Sequence, residues 1–283
     1  MANNKLDITF ETKCYENDWE YLLKTQHLNK MINNCNVNFQ CKQLIINNVN
    51  DFKMVERYAK LKIEENIIDS YYYVDDFISD ALIYFDINKD SFGKGYYYSS
   101  AELVGLYLSK TKYHLHFSSD TFLPQKGNWI ENACNILENN SIFAVANPTW
   151  NFDYKVVKKE STGEINDFYI CRGFSDQCYL VKTDTFKQKI YNYKHPASDR
   201  YPVYAGELFE KRVDSFMMVK DLYRITSSKT SYIHYNFPKK NKNVFFILIL
   251  NSNLYFYYCY LSLKCRYVIN LIKKIIKRII RYE

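Results

Sequence analysis

At 283 residues, 47% of them apolar and 18% aromatic, the chain is long enough to bury a sizeable core. Seven glycines and five prolines leave little material for long disordered linkers. The net charge of +7 is unevenly spread: from Lys239 onward ten basic residues face a single acidic one, Glu283, so the tail carries +9 and residues 1–238 carry −2. A body of that sign is not a basic nucleic-acid surface, and no nucleic-acid partner is expected.

Residues 6–14 alternate polar and apolar and predict a first strand. Asn17 and Asp18 then stand where they can cap a helix from Trp19 to about Asn33. Residues 43–49 predict a short buried strand ending in Asn47, Asn48, Asn50 and Asp51, followed by a helix over about Phe52–Asn66. A third strand over Ile67–Val74 ends in Asp75-Asp76. Ser99-Ser-Ala-Glu102 fits a capping box opening a helix to Lys110. The strand Tyr113–Phe117 then delivers Ser118, Ser119 and the carboxylate Asp120. His114 and His116 alternate onto one face of that strand, which predicts packing.

Strands alternating with helices at this spacing imply βαβ units, an α/β class and a mainly parallel sheet. Ligands of such sheets bind outside the carboxyl ends of the strands. Here those ends are polar: Glu11-Thr12, Asn47-Asn48, Asp75-Asp76 and Ser118–Asp120. Further on, the sequence predicts a helix over Trp129–Leu137 and a strand over Ile142–Val145 leading to Asn147-Pro-Thr-Trp150. Two strand-like runs over 168–181 break at Gly173. A helix over 204–217 opens at Gly206, and a closing strand follows over Ser231–Asn236. Eight cysteines show no Cys-x-x-Cys pairing and read as free thiols in a reducing compartment. The first residues lack the apolar core of a signal peptide, so a cytoplasmic body is expected.

This order of parts over residues 6–238 resembles the nucleotide-sugar glycosyltransferases of the GT-A fold, in layout the large inverting family of bacterial polysaccharide and lipo-oligosaccharide enzymes. The resemblance implies a Rossmann-type, mainly parallel central sheet flanked by helices, forming a catalytic domain over 1–238. It puts the nucleotide against the turn after strand one, with Thr12 and Tyr15, and against the turn after strand two, with Asn48 and Asp51. The metal and donor diphosphate fall at Ser118, Ser119 and Asp120. Ser118 stands where the family's Asp-x-Asp motif has its first aspartate, which weakens or alters the metal dependence to be expected. Asp120 and His234 would be the metal ligands, for Mn²⁺ or Mg²⁺. Glu207 is the first choice for the base of an inverting transfer, with Asp176 and Glu210 in reserve. Glu207 reads equally well as a helix cap, and His234 as a packed strand histidine. Acceptor contacts are expected from Trp150, Gln177 and Glu210. The activity implied is transfer of a hexosyl or N-acetylhexosaminyl group to a cell-surface glycan or lipid-linked acceptor. A sugar- or nucleotide-binding protein that kept the fold without the catalysis is the alternative.

In the tail, Val244–Leu263 is uncharged but interrupted by Asn251, Ser252 and Asn253. Residues 268–281 place five isoleucines on one helical face and five basic residues on the other, a pattern that lies in the plane of an anionic membrane. Attachment of 239–283 to the inner face of a membrane is the expectation, with a spanning helix or packing on a partner as alternatives.

Overall fold

A computed structural model describes residues 5–201 and 206–237, together with Asn251 and Leu261. The tail segments discussed above otherwise lie outside the described residues. Among the described residues no helix is long and apolar enough to cross a membrane.

In chain order the elements are β1 (Leu6–Cys14), α1 (Trp19–Leu23), α2 (His27–Asn33), β2 (Phe39–Ile46), α3 (Phe52–Glu64), β3 (Ser70–Tyr73), α4 (Val74–Phe85), α5 (Tyr96–Leu108), β4 (Tyr113–Phe117) and β5 (Thr121–Phe122). They continue with α6 (Trp129–Asn139), β6 (Phe143–Trp150), α7 (Tyr154–Glu160), β7 (Gly163–Ile165), β8 (Phe168–Cys171), β9 (Cys178–Lys182), α8 (Thr183–Phe186), α9 (Phe209–Val219) and β10 (Tyr223–His234). The sheet runs β3-β2-β1-β4-β9-β6-β10-β8-β7, with β5 paired to β10 outside that path. The β3-β2-β1-β4 half is parallel, while β9 runs antiparallel to both β4 and β6.

Strands β1 and β4 are central and buried on both faces, which is why their apolar residues carry so much of the core. Leu44 and Ile46 pack with Phe10, Leu22 and Ile130 on one face, while Ile45 packs with Phe85, Val104 and Phe209 on the other. Successive side chains of a strand point to opposite faces, so the alternation in β2 alone assigns the two layers.

Several expected elements differ. The helix predicted over Trp19–Asn33 is two helices, because the Thr25 hydroxyl turns back to the Tyr21 carbonyl and also accepts from the His27 N–H at 3.0 Å. Asp18 makes no side-chain cap; its carboxylate is engaged elsewhere. Ser99–Glu102 is not a capping box, because α5 already begins at Tyr96 and all four residues are buried within it. Asp75 and Asp76 are not a rim loop but the first turn of α4, where they suit the helix dipole. The last helix begins at Phe209, after the glycine and Glu207, and β10 starts eight residues before the predicted closing strand.

Candidate functional site

Parallel strands β1 and β4 end side by side, Thr12 opposite Phe117, and the turns that follow them form one rim. The Ser118–Asp120 turn is held from every side. Its first N–H donates to the Gln177 carbonyl at 2.8 Å, and the Thr121 N–H closes it on the Ser118 carbonyl at 2.9 Å. The Ser119 hydroxyl donates to Asp18, and His27 Nε2 lies 2.8 Å from the Ser119 carbonyl. The Tyr235 N–H donates to the Asp120 carbonyl at 2.9 Å. These contacts fix the backbone that carries Asp120 on the rim.

That carboxylate meets His234, whose Nε2 is 3.2 Å from Oδ2, with about one fifth of each side chain exposed. The contact follows from the antiparallel pairing of β5 with β10, which sets Thr121 opposite His234. Burial pushes the His234 imidazole towards the neutral form. The hydrogen bond and charge of Asp120, with the charge of Asp176, outweigh it and raise its pKa.

Asp176 sits in the loop before β9, and its carbonyl accepts from the Ser118 hydroxyl at 3.3 Å. Beside it lies Glu210, in the first turn of α9, whose carboxylate accepts from the Asp176 backbone N–H. Burial, and then the charge of Asp176, push Glu210 up to about 9, so this carboxyl is protonated at neutral pH next to an acidic neighbour. Lys13, at the end of β1, pairs with the buried Glu102 of α5. Burial works against its charge, but Glu102, Asp176 and Glu11 together raise its pKa and keep the ammonium charged.

The remaining expected site residues fall into two groups. Tyr15 is 41% exposed, and its hydroxyl is pushed up by burial and by the charges of Asp18 and Asp120, with Tyr98 also close. Trp150, 46% exposed at the end of β6, and the exposed Asn48 after β2 are presented at the surface. Gln177 is half-buried, with Oε1 accepting from the Tyr232 hydroxyl at 3.1 Å.

The others make contacts within the fold. Thr12 is fully buried and its hydroxyl donates to the Phe117 carbonyl at 2.8 Å. Asp51 caps α3 by accepting from the Met54 N–H at 3.0 Å. Ser119 is buried and its hydroxyl is spent on Asp18. Glu207 is ion-paired with Lys211 at 3.1 Å, its carbonyl accepting from Arg212 Nε at 2.8 Å. The turn bearing it needs Gly206, which has φ +65° and would place a Cβ 2.6 Å from the Phe92 carbonyl oxygen. It is Glu210, one helical turn later, that reaches Asp176.

Sequence reasoning missed Lys13, Asp18, His27 and Tyr98. Lys13 and Asp18 lay within the stretch read as polar strand end and cap. No local pattern marks His27 or Tyr98.

No protein-family model matches the chain, and no curated protein matches its sequence. Solved structures do. A crystal structure of GalNAc-T7 with UDP, GalNAc and Mn²⁺ is similar at a TM-score of 0.51 and 9% identity, over 87% of this chain and 48% of that one. A mannosyltransferase from Pyrobaculum calidifontis in complex with GDP-Man and Mn²⁺ gives 0.47 and 12%, over 87% and 60%. Glucosyl-3-phosphoglycerate synthase from Mycobacterium tuberculosis, with Mn²⁺, UDP and glucosyl-3-phosphoglycerate, gives 0.45 and 10%, over 86% and 75%. The chain spans about half of the GalNAc-T7 chain. At such identities the likeness is one of fold, and the fold is the GT-A nucleotide-sugar glycosyltransferase fold.

Proposed function

We propose that the protein is a glycosyltransferase that moves a sugar from a nucleoside-diphosphate sugar to an acceptor hydroxyl, with inversion at the anomeric carbon. The observation that carries this reading is the Asp120–His234 pair, with Asp176 in the adjoining loop, beyond the carboxyl ends of β1 and β4, the side on which open α/β sheets bind ligands. The rim fits a divalent cation by its donors: one carboxylate and one imidazole, partly exposed and aimed at each other. A carboxylate–imidazole pair suits Mn²⁺, and substrate phosphates would complete the shell. When bound there, the cation supplies positive charge for the departing diphosphate.

The rest is the work of the chain itself. Asp176 is the base we assign to the acceptor hydroxyl, because it is the carboxylate that stands beside Ser118 of the rim turn, with the protonated Glu210 next to it. Glu207, bound to Lys211, is not given that role. Lys13, at the end of β1, is kept cationic by Glu102, Asp176 and Glu11 and offsets their negative charge behind the rim. Tyr15 and Tyr98 offer exposed rings for the nucleotide, and Trp150 and Gln177 offer a ring and an amide for the acceptor sugar. The acceptor we favour is a cell-surface glycan or a lipid-linked sugar, met at an anionic membrane through residues 239–283 on the inner face. Hexosyl and N-acetylhexosaminyl donors both suit the reading.

The experiment is nucleotide release and transfer from a panel of nucleotide sugars with Mn²⁺ or Mg²⁺, run on wild type, Asp120→Ala and Asp176→Asn. Release by wild type, abolished in Asp120→Ala, supports the enzyme. Tight binding of a nucleotide sugar with no turnover, acceptor extracts included, would instead make it a binding protein. Ser118 in place of a second rim carboxylate is what keeps that second reading in play.

A further inference from the structure

Below the rim, inside the sheet, lies a second donor cluster that the transfer reaction does not use. Glu11 on β1 pairs in register with His116 on β4, and Thr9 with His114. Residues two apart on one strand share a face, so both imidazoles flank the same carboxylate. All three side chains are fully buried. Their ligating atoms lie within 4.8 Å of one another: His116 Nδ1 is 2.8 Å from Glu11 Oε2, and His114 Nε2 is 3.2 Å from it. No other group of three such side chains brings its ligating atoms this close among the described residues.

A simple hydrogen-bonded triad accounts for these distances incompletely. With both rings donating to one oxygen, Glu11 Oε1, His114 Nδ1 and His116 Nε2 are buried without a partner. Native interiors rarely leave so many polar atoms unmatched in one place. Two more orphans stand beside them, Glu102 Oε2 and the Tyr179 hydroxyl. The Tyr179 ring stacks on His116 at 4.8 Å and 19°.

We infer that Glu11, His114 and His116 bind a buried divalent transition-metal ion of the zinc class, separate from the rim cation. Two imidazoles and a carboxylate are a recognised donor set for zinc. Ligation through His116 Nδ1 and His114 Nε2 fixes the tautomers, so the two distal nitrogens become N–H donors. The ion would tie β1 to β4 directly beneath the Ser118–Asp120 turn. Full burial means that it enters as the chain folds.

The test is metal content after refolding. The full-length chain is unfolded in guanidinium with chelator, refolded with or without Zn²⁺, dialysed against EDTA and analysed by mass spectrometry of the metal. About one equivalent should be retained in wild type and equally in Asp120→Ala with His234→Ala, because the site is closed to solvent. Glu11→Gln, near in size to the native residue, should lower retention roughly tenfold or more. X-ray absorption at the zinc edge should show two imidazoles. Absence of retained zinc in refolded wild type, or retention lost with Asp120 and His234, would overturn the inference. Should Glu11→Gln fail to fold, the wild-type metal count and its absorption spectrum decide the matter alone.

Discussion

His234 at the end of β10 and Asp120 after β4 face each other across 3.2 Å, joined because the two-residue β5 carries the chain from Asp120 onto β10. The pair is thus built by sheet pairing and not by a flexible loop. Replacing Asp120 by Ala should lower kcat/KM by roughly a hundredfold or more, the scale of losing a principal electrostatic contact in such a site. Replacing His234 by Ala leaves the carboxylate in place and should mainly raise the Mn²⁺ concentration needed for half-maximal activity, by about 10–100-fold. Metal titrations of activity check both. Equal metal requirements in wild type and His234→Ala would remove the histidine from the ligand set.

The second prediction concerns Asp176 and Glu210. Burial and the Asp176 charge push Glu210 up to about 9, so its proton leaves only in alkaline solution. Deprotonation there sets two carboxylates side by side, and the rate should change as pH passes that value. Glu210→Gln, which mimics the neutral acid, should keep activity within a few-fold at pH 7 and abolish the alkaline limb. Asp176→Asn should cost about 10²–10⁴ in kcat, the usual weight of a general base. A pH–rate profile of kcat for the three proteins makes the comparison, and an unchanged alkaline limb in Glu210→Gln would count against the pairing.

A third prediction follows from what stands behind the Ser118–Asp120 turn. Burial pushes Asp18 up to about 8, even though Ser119 and the Tyr15 N–H hydrogen-bond to it. The unfolded chain ionises this group near pH ~4. Between those values the folded state binds more protons than the unfolded one, so this residue's contribution to stability falls as pH rises from about 4 to 8. His27, pushed down to about 4 by burial, acts in the opposite sense: its contribution is lost as pH falls from about 6.5 towards 4. Thermal unfolding scanned across pH should show a gentler alkaline slope in Asp18→Asn than in wild type. Parallel curves would mean that Asp18 is ionised in the folded protein at neutral pH.

How much of this was legible differs by element for physical reasons. β1 and β4 were readable with their observed bounds, because alternation is a local signal and buried strands end sharply in polar turns. Asp120 and Asp176 were legible as carboxylates in loops. Helix α4 was missed, although Val74, Ile78, Ala81, Leu82 and Phe85 recur at helical spacing, because Asp75-Asp76 read as a strand-end loop. β10 was read short because its middle, Thr-Ser-Ser-Lys-Thr, is polar; the register with β6 shifts between Thr226 and Ser231. Lys13–Glu102 and Glu11–His116 join residues far apart in the chain, and only the packing of α5 on the sheet and the order of its strands bring them together. The shared face of His114 and His116 was visible, but the carboxylate between them was not.

The packing of α5 on β1 gives the last prediction. Gly105 faces Glu11, and a Cβ built there would lie 2.7 Å from Oε2 and 2.9 Å from Cδ of that carboxylate. Those atoms belong to a side chain held by His114 and His116, so Glu11 cannot swing aside as a surface glutamate would. The Gly105 carbonyl also accepts from Gln43 Nε2 at 2.9 Å, which pins the helix at the same level. Gly105→Ala should therefore destabilise the protein by about 1–3 kcal/mol, the usual cost of overpacking, despite alanine's better helix propensity. Pairing it with Glu11→Ala should recover part of that loss, because the clash and its target are then both gone. Urea unfolding of the two single variants and the double variant measures the coupling, and strict additivity would show that α5 can shift to accommodate the methyl group.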